Sequence, residues 1–158
     1  MLRLTGGALL AAWAWPGVRG GRGAAEPATQ EFSFFAINDL HFTDRHCAPF
    51  FERVVKQLRA EPGTFDFCLL AGDLSEDGKA GQLGPLRDIF QTLGIPVYHV
   101  IGNHDHLTDT NCTPYRELIG KDLNYSFEHK GWQVVVADLA EGRKTQVQAS
   151  AGVLHYLD

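Results

Sequence analysis

Apolar residues along this chain fall either in short dense runs or in spaced stripes, and the two patterns predict different elements. Residues 31–38 are rich in aromatic and β-branched side chains over a short span, which predicts a buried strand. From Pro49 onward, Phe50, Phe51, Val54, Val55 and Leu58 recur at helical spacing, predicting a helix that closes near Pro62-Gly63. A second dense run covers 65–71. Leu83, Leu86, Ile89, Phe90 and Leu93 form a second helical stripe, stopped by Gly94 and Pro96, and 97–101 supply a third run. The order β-α-β-α-β within about seventy residues predicts a parallel sheet with crossover helices. Further on, 124–128, the Lys130-Gly131 turn and 132–137 predict an antiparallel hairpin, and 146–157 the beginning of another helix.

Polar clusters follow the three dense runs directly: Asp39-Leu40-His41, Gly72-Asp73 and Gly102-Asn103-His104-Asp105. Each is ordinary alone, since Asp and Asn after a strand commonly form turns. Together they differ. A parallel sheet gathers the carboxyl ends of its strands on one rim, and Asp, His and Asn offer oxygen and imidazole ligands suited to divalent transition metals.

In order and spacing these clusters resemble the first three motifs of the calcineurin-like metallophosphoesterases, over residues 34 to about 138. The resemblance implies an α/β fold, an αββα-type sandwich that this chain leaves incomplete at its C-terminus. It implies hydrolysis of phosphomonoesters or phosphodiesters by a water activated between two divalent transition-metal ions, whether Mn, Fe or Zn. Asp39 and His41 would bind the first ion, Asp73 would bridge both, and Asn103 would bind the second. His104 would face substrate as general acid, with Asp105 orienting and polarising its imidazole. Relatives continue with a further His and a Gly-His-x-His, neither found in these 158 residues. The expectation is therefore a second metal site holding only Asp73 and Asn103. A truncated, catalytically impaired metal-binding module is the alternative. Glu76 stands where the purple acid phosphatase pattern has a metal-binding Tyr, which disfavours that subfamily. A cyclic nucleotide or other small phosphodiester suits the pattern better. His46, His99, His129 and His155 match no family ligand position. Nor does His106, although it is expected near enough to the rim to touch substrate. A nucleotide-binding α/β domain is a poor fit, because no glycine-rich phosphate loop follows the first strand.

Composition narrows the partners. With 44% hydrophobic and 21% charged residues, the chain has the make-up of one globular domain. The first 25 residues carry three of the 14 basic residues and none of the 19 acidic ones, so the remaining body is more acidic than the overall net charge of -5. That balance argues against a nucleic-acid groove, but bound cations can still admit a phosphorylated substrate. Cys47, Cys68 and Cys112 lack metal or redox spacing. Cys68 belongs to an apolar run, and a Cys47–Cys112 bridge is open to an oxidising compartment.

Residues 1–30 read as a signal peptide and leader, with 31–158 as the phosphoesterase portion. The apolar stretch from Leu4 to Trp15 is shorter than the roughly 20 residues of a membrane span and precedes Pro16, Gly17 and Gly23-Ala24-Ala25. Residues 1–10 also resemble the stretch that follows the paired arginines of twin-arginine signals, so export to a periplasmic or extracellular location is expected. N-terminal sequencing of the mature protein should find the leader removed, whereas a cell-associated product beginning at Met1 would exclude export.

Overall fold

The structure, a computed structural model, describes residues 30–157 apart from 62, 64 and 147. The leader before residue 30 lies outside the described residues. β2 (Phe67–Ala71) is the central strand, paired in parallel with β1 (Phe34–Ile37) and β3 (Val97–Val100). Every residue of β2 is buried, as its unbroken apolar run requires of a parallel strand covered on both faces. α1 (Ala48–Ala60) and α2 (Ala80–Gln91) make the crossovers. Because the strand order β1-β2-β3 never reverses, right-handed connections set both helices on one face, where they pack against each other.

Successive side chains of β2 point to opposite faces, and each face feeds its own core. Cys68 and Leu70 join Phe42, Phe51, Val55, Leu83, Leu86 and Phe90 on the helix side. Leu69 and Ala71 join Val100 and Val136 on the other. That second core is closed by a hairpin of β4 (Tyr125–His129) and β5 (Trp132–Val136). Its turn residues Lys130 and Gly131 have φ of 48° and 84°, both positive as a two-residue hairpin turn demands. Aromatic contacts fix the hairpin to the sheet: Phe67 meets Phe127 edge-on at 5.4 Å between centroids, and Tyr98 stacks on Phe127. The Tyr125 hydroxyl accepts from the His99 N–H at 3.0 Å and donates to the His99 carbonyl at 2.8 Å. Helices, parallel sheet and antiparallel hairpin thus form three layers, the mixed α/β arrangement predicted from the sequence.

Four details depart from the sequence pattern. β1, predicted as a buried strand, alternates exposed and half-buried residues, with Phe34 44% exposed, because it stands at the end of the three-stranded order. Phe50 is 55% exposed although it belongs to the predicted helical stripe. At 100° per residue the buried face of α1 centres on Phe51, Val55 and Leu58, and Phe50 falls about 110° to one side of it. The last helix, α4 (Ala151–Leu157), starts five residues later than its apolar pattern suggests. Ser150 sets that start, its Oγ accepting from the Val153 N–H at 3.2 Å, as a helix-capping hydroxyl does. Between β3 and β4 a short helix, α3 (Thr113–Leu118), forms without a sequence signal, because six residues are too few to display a period. No helix among the described residues is long and apolar enough to cross a membrane.

Leu70 is fully buried at the centre of the helix-side core. Leu70→Ala should cost about 2–5 kcal/mol, read as a lower urea midpoint with an unchanged denaturant slope.

Candidate metal centre

The strand register sets the three motif loops level: Ile37 pairs with Leu70, and Ala71 with Val100. Past the strands the first two loops stay zipped together. Asp39 N–H donates to the Gly72 carbonyl at 3.2 Å, His41 N–H to Asp73 at 2.9 Å and Phe42 N–H to Leu74 at 3.0 Å. To do this the chain adopts left-handed backbone at Asp39 (φ 55°), His41 (φ 46°) and Asp73 (φ 51°). Outside these three, only Lys130 of the hairpin turn does so among the described non-glycine residues. Such conformations cost of order 1–3 kcal/mol each and persist only where surrounding structure enforces them. Here they turn three side chains toward one point.

The third loop, a 3₁₀ turn over Asn103–Asp105, is docked by Asp105. Its side chain is fully buried. One oxygen accepts from Leu74 N–H at 3.1 Å and Gly102 N–H at 3.0 Å; the other accepts from Ser75 N–H at 2.8 Å and Ser75 Oγ at 3.1 Å. Burial raises its carboxyl to about 6, against the pull of these donors. Gly102 permits the approach, because a Cβ there would strike the backbone nitrogen and Oδ1 of Asp73. His104 N–H then donates to Asp73 Oδ1 at 2.9 Å, orienting that carboxylate.

Two overlapping groups of side chains could hold a cation. Asp39, His41 and Asp73 each offer a ligand atom, all within 4.8 Å of one another, and so do His41, Glu76 and His104. His41 Nε2 lies 3.8 Å from Asp39 Oδ1, while its Nδ1 lies 2.9 Å from Glu76 Oε2. The rings of His41 and His104 meet edge-on with centroids 4.6 Å apart. The Asp39 carboxyl is raised above its ordinary value, by burial first and then by the neighbouring charge of Asp73, with the Asn38 amide and His41 opposing. Two facing carboxylates beside an imidazole suit a divalent cation, which would relieve their repulsion. The donor set therefore fits a metal.

Of the residues singled out in sequence, Asp39, His41, Asp73 and His104 converge. Asn103 stands on the same rim, with its amide nitrogen donating to the Arg143 carbonyl at 3.5 Å. The expected action of Asp105 on the His104 imidazole is corrected: the Asp105 carboxylate binds loop backbone and Ser75, and His104 Nδ1 instead lies 2.9 Å from the Glu76 carbonyl oxygen. His106 is likewise not on the exposed rim. It is buried, and neither ring nitrogen has a hydrogen-bond partner among the described residues. Cys47 and Cys112 are free thiols rather than a bridge, and Cys47 Sγ donates to the Asp44 carbonyl at 2.8 Å.

Two site residues escaped the sequence reading. Glu76 carries a signal, its place three residues after Asp73, but a departure from the purple acid phosphatase pattern does not by itself name what the side chain touches. Arg143 carries none. From the segment after β5 it donates to the His106 carbonyl at 2.9 Å and the Glu76 carbonyl at 3.4 Å.

A parallel sheet whose strand ends present Asp, His and Asn around facing carboxylates defines a metal-site α/β protein. Residues 32–149 match the family described as calcineurin-like phosphoesterase, and the chain belongs to that family. It is also 32% identical over 94 residues to a protein from Synechococcus sp. (strain ATCC 27144 / PCC 6301 / SAUG 1402/1) described as a probable cyclic nucleotide phosphodiesterase. The aligned region covers 59% of this chain and 36% of that relative.

Replacing Asp105 with Ala would leave three buried backbone N–H groups unpaired, at about 1–3 kcal/mol each. Asp105→Ala should therefore lower unfolding stability by at least about 3 kcal/mol and Asp105→Asn by less. A chemical-denaturation difference below about 1 kcal/mol for Asp105→Ala would contradict its docking role.

Proposed function

We propose that this chain contributes the first ligands of a two-metal centre that hydrolyses a small phosphate diester, with a cyclic nucleotide as the leading substrate class. The observation that carries this reading is the convergence of Asp39, His41 and Asp73 within 4.8 Å, on three residues held in left-handed backbone. Asp39 and His41 would hold the first ion, Asp73 would be shared, and Asn103 would hold the second through its amide oxygen. Divalent ions bound there would acidify a water and neutralise charge on the phosphoryl oxygens. Manganese, iron and zinc all suit the oxygen and imidazole donors.

The chain's own groups then divide the remaining work. Uncatalysed phosphate-ester hydrolysis needs about 20 kcal/mol or more removed from its barrier. A positioned acid contributes roughly 3–5 kcal/mol of that, so His104 acts within the metal centre rather than in its place. With Nδ1 engaged by the Glu76 carbonyl, His104 would present Nε2 to the leaving oxygen. The cyclic-nucleotide preference draws support from the description of the Synechococcus relative. Because the aligned region reaches only 36% of that relative, activity and substrate are proposals for the whole protein.

A second reading is a metal-binding module of low turnover, favoured by a second ion position that has only Asp73 and Asn103 as ligands from the three motifs. One experiment separates the two: Mn²⁺ titration by calorimetry, with hydrolysis of a chromogenic phosphodiester followed in parallel, for the wild type and Asp73→Asn. The expected result is loss of affinity beyond the roughly 10- to 100-fold typical of outer-shell partners, with turnover reduced to background. Affinity lost while both proteins hydrolyse at the same background rate would favour the module, and unchanged affinity would exclude Asp73 as a ligand.

A further inference from the structure

Glu76 touches each of the other two motif loops. Its backbone N–H donates to the Phe42 carbonyl at 3.2 Å, beside the first cluster. Its carboxylate Oε2 lies 2.9 Å from His41 Nδ1 and Oε1 lies 3.6 Å from His104 Nδ1. Its carbonyl oxygen is 2.9 Å from His104 Nδ1 and receives Arg143 Nη2 at 3.4 Å. One residue is therefore braced to both histidines, through its side chain to one and its main chain to the other.

The acceptor chemistry fixes both imidazoles. A carbonyl oxygen can only accept, so His104 Nδ1 must carry the proton in that contact. An ionised carboxylate also can only accept, so His41 Nδ1 must carry its proton too. In its neutral form each ring then has its lone pair on Nε2, and for His41 that nitrogen is the one beside Asp39, 3.8 Å from Oδ1. Imidazoles that ligate metals commonly donate their other N–H to a carboxylate or carbonyl, which fixes tautomer and orientation and raises basicity.

We propose that Glu76 is the positioning residue of this centre, holding His41 through its carboxylate and His104 through its carbonyl so that both keep a proton on Nδ1 and direct Nε2 into the centre, where His41 offers a lone pair to an ion and His104 Nε2 carries the proton it delivers as an acid. The proposal rests on reading the rim as a metal centre, and it makes Glu76 a partner of the ligand rather than a ligand. It also predicts that the two histidines respond differently when the side chain is removed. His41 loses its acceptor, while His104 keeps one, because the carbonyl remains.

Long-range ¹H–¹⁵N correlation spectra of the metal-free chain test this, with both imidazoles neutral. In the wild type both rings should show protonated Nδ1. In Glu76→Ala, His41 should shift toward protonated Nε2 while His104 stays unchanged, and Mn²⁺ affinity should fall about 10- to 100-fold. Glu76→Gln, which keeps an acceptor oxygen and nearly the same shape, should retain the His41 tautomer and lose less affinity; it also carries the test if the Ala variant does not fold. An unchanged His41 tautomer in Glu76→Ala would overturn the proposal, as would a shift at His41 with no loss of affinity. Wild-type protein with the expected tautomers but no Mn²⁺ binding would overturn the metal reading of the rim and leave the histidine positioning standing, so the two failures are distinguishable.

Discussion

A carboxylate removed from water is costly unless donors replace its hydration, and Asp105 receives four of them from Leu74, Ser75 and Gly102. That exchange joins the second motif loop to the third. A 3₁₀ turn of three residues cannot maintain its own position, and the close seating of Gly102 on Asp73 leaves little tolerance in the loop path. With the turn docked, His104 N–H reaches Asp73 Oδ1 and the His104 ring reaches the Glu76 carbonyl. The arrangement of the second loop's acidic residues against the third loop's histidine thus depends on one buried anion that faces away from the centre it organises.

The cost of this geometry is borne by the layers beneath. Left-handed backbone at Asp39, His41 and Asp73 would relax if the first two loops were free. They are held by main-chain bonds that extend the β1–β2 ladder beyond its last residues. β2 is in turn held from both sides, by the helix-side core and by the aromatic contacts of the hairpin. Rigid strands that end level, followed by strained residues, place ligand atoms more closely than unconstrained loops would.

Much of this was legible in the sequence, and for a physical reason. Dense apolar runs mark parallel strands because a central one is covered on both faces; β2 meets that condition in full, β1 and β3 only in part, and the regular alternation of the three runs with helical stripes let the three clusters be assigned to one rim. What could not be read was direction. Asp105 and Asp73 are the same residue type at equivalent strand ends, yet one points into the protein and the other into the centre, a difference set by which backbone donors lie nearby. His106 was misplaced for the same reason, since two residues past His104 the chain has already turned inward. Phe50 had the right spacing but sat at the margin of its helical face. Arg143 was invisible because its contacts lie 37 and 67 residues away, at a distance where no local pattern operates.

Arg143 also bears on what counts as the unit that builds this centre. The first three motifs end at Asp105, and the β-α-β-α-β segment carries those three. Yet Arg143 ties the stretch beyond the hairpin to the carbonyls of Glu76 and His106, while its own carbonyl receives the Asn103 amide. The shortest piece of chain that contains these rim contacts among the described residues therefore runs from β1 through Arg143. A piece cut at the third motif would keep the recognisable letters while losing the strap that joins their loops.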